Sequence, residues 1–327
     1  MDPRLVTAVI VVVGVPAVLV GYILGIEQLL RLLPGRVQPR LRPWLWLLPA
    51  LTLLFVFLIY PTIGTFVRSF QDRAGNNFIG LNNYGYFFGN SDTLTALRNS
   101  VIWVVFLTAI TVGLGLLIAV LVDRVRYESL AKSVIFVPLA ISATAAGVIW
   151  TFMFYYVTPG PGTSQIGTLN AGLQGAGVGP VPWLTVSDFG FNTILLIIVM
   201  AWIWTGFAMV IISAAYKGIS PELLEAARVD GANEWQVFRR IILPLLLPTL
   251  AVISTTMVIT ALKTFDVVYV MTNGNFDTEV IANRMYKEMF SSANFGRASA
   301  VAIILLLAII PVMAFNIRRF QAQEAIR

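Results

Sequence analysis

The stretch from Glu222 to Leu246, ELLEAARVDGANEWQVFRRIILPLL, is an island of charge in an apolar chain. It gathers four acids (Glu222, Glu225, Asp230, Glu234) and three arginines (Arg228, Arg239, Arg240). Ser220 and Pro221 precede it, a residue able to cap a helix and one suited to the first helical position. Glu222 and Glu225 fall in the first turns, where acids favour a helix N-terminus. Leu223, Ala226, Ala227 and Asp230 follow at helical spacing, and Gly231 is placed to stop the helix. Beyond it, Trp235, Phe238 and Ile242 form one apolar stripe, which predicts a second short amphipathic helix before Pro244 and Pro248 open the next apolar run. Two readings fit: a rigid knob that docks into a groove on a partner, or an amphipathic loop lying at a membrane surface.

Outward from this island the chain is built of apolar runs. Of 327 residues, 58% are hydrophobic and 12% charged, against roughly 25% charged in globular domains. Seven runs approach or exceed the roughly 20 residues needed to cross a bilayer. They are Leu5 to Ile26, Pro43 to Val67, Val101 to Val122, Ser133 to Val157, Phe191 to Tyr216, Leu243 to Leu262 and Ala298 to Ile317. The composition predicts an all-α polytopic membrane protein with seven spans. The first run exceeds a signal-peptide core and lacks a small-x-small cleavage pattern after it, which predicts a retained helix. The chain has no cysteine and no histidine, so disulfides, thiolate metal sites and the commonest near-neutral proton carrier are excluded. The net charge of +6 comes from loop residues flanking spans, which argues against a nucleic-acid surface.

Lys and Arg collect in cytoplasmic loops. With the N-terminus outside and the C-terminus inside, fourteen of the 22 basic residues fall on the cytoplasmic side: Arg31, Arg36, Arg40, Arg42, Arg124, Arg126, Lys132, Lys217, Arg228, Arg239, Arg240, Arg318, Arg319 and Arg327. The outer side keeps Arg4, Arg68, Arg73, Arg98, Lys263, Arg284, Lys287 and Arg297. The asymmetry predicts N-out, C-in, with the Glu222–Leu246 island in the cytoplasm. Among the outer loops, Thr158 to Gly190 carries seven glycines before Pro180 and a single acid, Asp188. It reads as a polar cap over helix ends or as a mobile loop. FIGLNNYGYFF (Phe78 to Phe88) suits an interfacial aromatic belt.

Ion-coupled transporters place ionisable groups inside their spans, and here the spans are nearly free of them. Lys263 and Asp266, three residues apart, can face one side and pair. Catalytic and metal motifs are absent from the sequence. A phosphate-binding Walker loop needs Gly-Lys followed by Ser or Thr, and the four lysines follow Ala131, Tyr216, Leu262 and Tyr286. If the chain transports against a gradient, the energy comes from another subunit and some element must receive it.

The island resembles the EAA loop of ATP-binding-cassette importer membrane subunits. That pattern, Glu-Ala-Ala, three residues, Gly, nine residues, Ile-x-Leu-Pro, is met by Glu225, Ala226, Ala227, Gly231, Ile241, Leu243 and Pro244. The resemblance covers roughly residues 44–319. FIGLNNYGYFF and FDVVYVMTNG (Phe265 to Gly274), followed by Tyr286 and Phe290, are similar to signatures of the carbohydrate-importing, maltose and alpha-glucoside branch. KSVIFVPLAISATAAGVIW and ALKTFDVVYVMTNGNF look most like its alpha-glucoside permease subunit, counterpart of the larger maltose-importer membrane subunit but without its large periplasmic insertion.

The resemblance implies an N-terminal helix and basic linker over 1–42 and a six-helix permease core over 43–327. The coupling loop at 217–244 would be seated on an ATPase subunit through Glu225, Ala226, Ala227, Asp230, Gly231, Ile241, Leu243 and Pro244. It also implies a sugar path at Trp204 and Phe207 of the fifth span and Thr260 and Thr264 of the sixth. The fifth span also offers Trp202 and Thr205, and Thr256 extends the stripe on the sixth. The threonines fit helix packing equally well. Implied partners are a second permease in a heterodimer, two ATPase subunits and an extracytoplasmic sugar-binding protein, in the lipid of a bacterial cytoplasmic membrane. ATP and Mg would belong to the ATPase subunits, with no cofactor on this chain. Trehalose, sucrose or glucosylglycerol are alternative cargoes, and an ion-coupled transporter or a non-transporting scaffold are the rival classes.

Overall fold

The computed structural model describes residues 3–123 and 125–324. Arg124 and Arg327, used above for topology, lie outside them, as do the side chains of Arg4, Arg318 and Arg319. The described residues are helical almost throughout and divide into two compact units, Met1–Thr65 and Phe66–Arg327.

In the first unit, α1 (Pro3–Arg31) turns through a short proline-glycine link into the helix that begins at Gln38. That helix, α2, is continuous over Gln38–Arg68 despite Pro43, Pro49 and Pro61. It widens into a π-turn at Phe55–Ile59, two residues before Pro61. A proline lacks a donor and its ring crowds the carbonyl four residues back. A widened turn relieves that crowding without ending the helix.

The second unit is organised around α8. In chain order it contains α3 (Asn82–Gly89), α4 (Ser91–Val122), α5 (Glu128–Phe136, extended by a tight turn to Ala140), α6 (Ala143–Met153) and α7 (Thr168–Gly175). There follow α8 (Phe191–Lys217), α9 (Pro221–Val229) and α10 (Glu234–Leu262). The last are α11 (Asp266–Met271), α12 (Ile281–Tyr286) and α13 (Phe295–Glu324). α8 is the most buried span, with over half of its apolar stretch enclosed. α4 lies along it with Gly115 at the contact, where a Cβ would come 2.7 Å from the Ala208 Cβ. Small residues let membrane helices approach this closely.

The fourth expected span, Ser133 to Val157, is corrected by the structure. It is two helices, Glu128–Ala140 and Ala143–Met153, bent by 99°. Pro138 lies in the tight last turn of the first limb, and Ile141 and Ser142 are extended. The Ser142 hydroxyl then caps the new helix by accepting the Ala145 N–H at 3.2 Å. Among the described residues, six continuous candidate spans therefore accompany one broken one. A continuous apolar run records hydrophobicity, not direction, and the local signals for the break are one proline and one capping serine.

The glycine-rich segment 158–190 is a built cap. Asn170 is fully buried and makes four hydrogen bonds. Its amide donates to the Tyr155 and Val181 carbonyls at 3.0 Å each, and its oxygen accepts from Val181 N–H and Trp183 Nε1. Gln165 brackets Val157 in the same way, accepting its N–H at 2.9 Å and donating to its carbonyl at 2.6 Å. The aromatic stretch Phe78 to Phe88 is only partly a belt. Phe78 and Phe88 are exposed, whereas Phe87 is buried against Val301 of α13, and Asn83 donates to the Ser69 and Gln71 carbonyls.

Replacing Asn170 with Ala strands its four partners in a dry site. Each unsatisfied buried group costs about 1–3 kcal/mol. The expected outcome is a cap cleaved much faster by protease between residues 158 and 190, while the spans still insert. Cleavage and thermal unfolding of the intact chain check it.

Candidate functional site

The coupling-loop candidate is built from two differently closed helices. Pro221 sits at the first position of α9. Ser220 does not cap it, contrary to expectation; its hydroxyl donates to the Glu222 carboxylate and holds that carboxyl below the usual range. The other end is a Schellman closure. Gly231 stands at φ +86°, its N–H bonds the Arg228 carbonyl at 3.0 Å, and the Ala232 N–H bonds the Ala227 carbonyl at 3.0 Å. Only glycine enters this backbone region without strain.

Two residues later Asn233 opens α10 with a reciprocal capping box. Its side chain accepts the Gln236 N–H at 2.9 Å while Gln236 Oε1 accepts the Asn233 N–H at 2.9 Å. The expected second short helix is not separate. It runs without interruption into the span, as one helix over Glu234–Leu262. A π-turn at Phe238–Ile242 accommodates Pro244, with the same two-residue offset seen before Pro61.

The two limbs are braced. Arg228 Nε donates to Glu234 Oε1 at 2.8 Å across the turn, and Trp235 stacks on Phe238 with centroids 5.7 Å apart. Leu224, Ala227 and Ala232 pack under the turn with buried Val237 and Ile242. Ile241 and Leu243 are half-buried, and Pro244 is exposed. Above the turn Glu222, Glu225, Ala226, Asp230 and Gly231 are exposed, together with Leu223, Val229 and Trp235. A Cβ at Gly231 would meet nothing within 4 Å. Charged residues and three bare apolar side chains thus share one face of a fixed knob.

The sugar-path candidates lie deeper. Trp204 and Phe207 are half-buried on α8, edge to face with centroids 5.6 Å apart. Both pack against the cluster holding Ile253 and Met257 of α10. Thr256, Thr260 and Thr264 donate to the carbonyls four residues back, Val252, Thr256 and Thr260, at 3.1, 2.8 and 3.1 Å. Thr205 does the same to Ala201 at 2.6 Å. The donors therefore belong to their own helices, and the hydroxyl oxygens keep acceptor capacity. Thr256 and Thr260 are half-buried and Thr264 is buried. Trp202 stands apart from this pair, against Trp150 at 5.8 Å. The expected Lys263–Asp266 ion pair is not among those of the described residues; Asp266 accepts from the Thr144 hydroxyl at 3.1 Å.

Three features here were not read from the sequence. The first is Gly206, between the two candidate rings. A Cβ there would lie 2.5 Å from the Ile135 carbonyl oxygen and 2.7 Å from the Phe136 Cα, so the broken span rests backbone to backbone on α8. The second is a charge cluster at the end of α8, before the candidate coupling loop. Lys217 pairs with Glu128 at 2.7 Å and Asp123 at 3.8 Å, and Lys132 pairs with the same Glu128 and with Ser213. These groups edge a cleft of about 560 Å³. The third is a polar cleft of about 270 Å³ lined by Asp92, Asp277, Glu279, Arg284 and Lys287. Beside it Lys287 pairs with Glu279 at 2.6 Å and Arg284 with Glu288 at 2.8 Å. Each joins residues far apart in sequence, although the Glu128–Lys132 and Arg284–Glu288 pairs within the clusters are four residues apart.

A family model described as "binding-protein-dependent transport system inner membrane component" matches residues 111–322. The chain is 53% identical over 283 residues to the osmoprotective compounds uptake permease protein GgtC of Synechocystis sp., across 86% of this chain and 100% of the relative. It is 41% identical over 284 residues to the alpha-glucoside transport system permease protein AglF of Rhizobium meliloti, across 86% of this chain and 83% of the relative. Among solved structures, a bacterial ABC transporter involved in import of the acidic polysaccharide alginate has a chain of the same fold. The TM-score is 0.72 at 23% identity, over 86% of this chain and 97% of that one.

Gly206 gives a direct test of this packing. Gly206→Val forces a branched side chain into backbone and should cost at least the 1–3 kcal/mol typical of overpacking. The expected outcome is loss of folded chain in detergent, read by size-exclusion profile and thermal midpoint, with Gly206→Ala milder.

Proposed function

The chain belongs to the family of inner membrane components of binding-protein-dependent transport systems, and from that premise we propose that it is one of two permease subunits of an ATP-driven importer of alpha-glucosides or similar oligosaccharides. As a family member it is a multi-pass inner-membrane protein and a non-catalytic permease component. The observation that carries the proposal is the knob at Pro221–Gln236: rigid, anchored below by buried apolar residues, and bare above. A monomer has no use for Leu223, Val229 and Trp235 in water; a helix-in-groove contact buries such residues. In this reading two ATPase subunits supply ATP and Mg, a second and different permease completes the pathway, and an extracytoplasmic binding protein delivers the sugar. The cargo follows the relative named for alpha-glucosides. A second reading is favoured by the relative named for osmoprotective compounds: a small glucosyl osmolyte such as glucosylglycerol, sucrose or trehalose. ATPase activity of the reconstituted complex, stimulated by its loaded binding protein over a panel of disaccharides and glucosylglycerol, separates the two. Uptake that ignores loss of the ATPase and collapses with uncoupler would instead mean an ion-coupled transporter.

Gly231 tests coupling. Replacement by Ala introduces only left-handed strain, about 1–2 kcal/mol, and no clash within the chain. Replacement by Leu adds a bulky side chain to the proposed contact face. The expected outcome is a folded chain in both variants, with ATP hydrolysis uncoupled from uptake in Gly231→Leu and mostly retained coupling in Gly231→Ala. Normal uptake by an assembled Gly231→Leu complex would remove the docking assignment.

Trp204 tests the path. Aromatic faces pack on the C–H surfaces of sugars, and hydroxyl oxygens such as those of Thr260 and Thr264 accept from sugar O–H groups. Loss of one platform ring should cost about 1–2 kcal/mol, roughly tenfold in half-saturation. Uptake normalised to assembled complex should show this for Trp204→Ala, with the binding protein's own affinity unchanged. If Trp204→Ala and Thr260→Val both leave half-saturation and substrate preference untouched, the sugar site is on the partner permease.

A further inference from the structure

The hairpin of α1 and α2 carries more positive charge than it can neutralise. Between Arg4 and Arg68 the only acid is Glu27, against Arg31, Arg36, Arg40 and Arg42. Glu27 is committed: both its oxygens accept from Arg42 Nη2, at 2.8 and 2.7 Å. That fork, the Tyr22 hydroxyl on the Leu45 carbonyl at 2.5 Å and the Gln38 amide on the Leu33 carbonyl at 3.0 Å fix the two helices side by side across the turn. Arg31, Arg36 and Arg40 are exposed, and none forms an ion pair among the described residues. Interleaved with them are bare apolar groups, Leu32 at 83% exposure and Trp44 at 65%, with Trp46 beside them.

Geometry sets where this surface lies. Two consecutive candidate spans, Val11–Arg31 and Gln38–Arg68, meet at the link, so the link sits at a membrane surface whichever way the chain is oriented. Leu32, Trp44 and Trp46 require the acyl boundary and suit the interfacial level. The three arginines need anions at the height of the headgroups. Guanidinium binds phosphate through paired N–H groups and stays charged. Zwitterionic headgroups would return a positive charge beside each phosphate; anionic headgroups do not. We propose that Arg31, Arg36 and Arg40, with the Trp44 and Trp46 rim, form a binding surface for anionic phospholipid of the phosphatidylglycerol type. Arg42 serves a different purpose, locking the hairpin through Glu27. A juxtamembrane arginine near an anionic surface gains about fivefold in association, from the roughly 1 kcal/mol typical of such charges. Three together should prefer anionic over zwitterionic lipid by at least about tenfold.

The chain has no cysteine, and a side chain at Gly35 meets nothing within 4 Å. Gly35→Cys therefore accepts a single fluorophore on the full chain in phosphatidylcholine vesicles. Quenching is read with nitroxide-labelled phosphatidylglycerol or phosphatidylcholine at equal mole fraction. The expected result is stronger quenching by phosphatidylglycerol, lost in R31Q/R36Q/R40Q, partly retained through charge alone in R31K/R36K/R40K, retained in E27Q/R42Q, and weakened by 0.5 M salt. Single glutamine variants, each losing a few-fold, carry the test if the triple variant fails to insert. Equal quenching by the two lipids in the parent, or a preference that survives the glutamine changes, overturns the proposal. So does a preference lost as fully with lysine as with glutamine, because the arginines would then be structural.

Discussion

The larger unit depends on how closely other backbones approach α8. At Gly115 the neighbouring helix α4 contributes no side chain, and at Gly206 α8 itself contributes none. Through the first, α4 lies flush along the axis of the unit. Through the second, the Ile135 carbonyl of the broken span reaches the α8 backbone. Lipid offers no hydrophobic reward for pressing apolar helices together, so close van der Waals contact must hold them. The rest of the unit builds on α8: α10 packs with it, Trp204 and Phe207 in one cluster, and the loop to α9 begins where α8 ends.

The broken span gains its meaning from this arrangement. Its first limb is held by charges at the coupling-loop end, Glu128 and Lys132 against Lys217 and Ser213. Its second limb is held against α11 by the Thr144–Asp266 hydrogen bond and by the packing of Gly147 on Val270. A polar break inside a membrane is tolerated only where protein covers it. Here the break comes directly after the limb that Gly206 receives, so a disrupted backbone and a close contact occupy one region.

Much of this was legible because hydrophobic length and helix punctuation are local. Gly231 announced its positive φ by residue type and position, whereas the predicted Trp235–Phe238–Ile242 stripe runs from an exposed Trp235 to a buried Ile242. The EAA spacing carried the family. The failures were non-local. Ser133 to Val157 has the composition of a straight span, and nothing in hydrophobicity distinguishes it from one bent through 99°. The glycines of 158–190 left a polar cap and a mobile loop both open, and the single buried asparagine that organises the cap is one polar residue among many. The four-residue spacing of Thr256, Thr260 and Thr264 was seen, but their bonding to their own helix left both the sugar and packing readings compatible with it.

The knob's two joints differ. Toward α10 there is no joint beyond the braced turn, because Asn233 starts a helix that continues unbroken for 29 residues, about 43 Å of rod at 1.5 Å per residue. Toward α8 the chain leaves the helix at Gly218, Ile219 and Ser220, and the Ser220 side chain leaves the start of α9 uncapped. α9 is joined to α10 by the Arg228–Glu234 brace and by half-buried Ala232 packed with buried Val237. On the α8 side Lys217 pairs with Glu128 at 2.7 Å before the chain leaves the helix. Around the π-turn at Phe238–Ile242, Val237, Ile242 and Leu246 are all buried in one cluster. The helix joined most directly to α9 is thus the one bearing the threonine stripe, and its Leu246, Leu250, Ile253 and Met257 are buried in one cluster with Ala208, Met209 and Ile212 of α8.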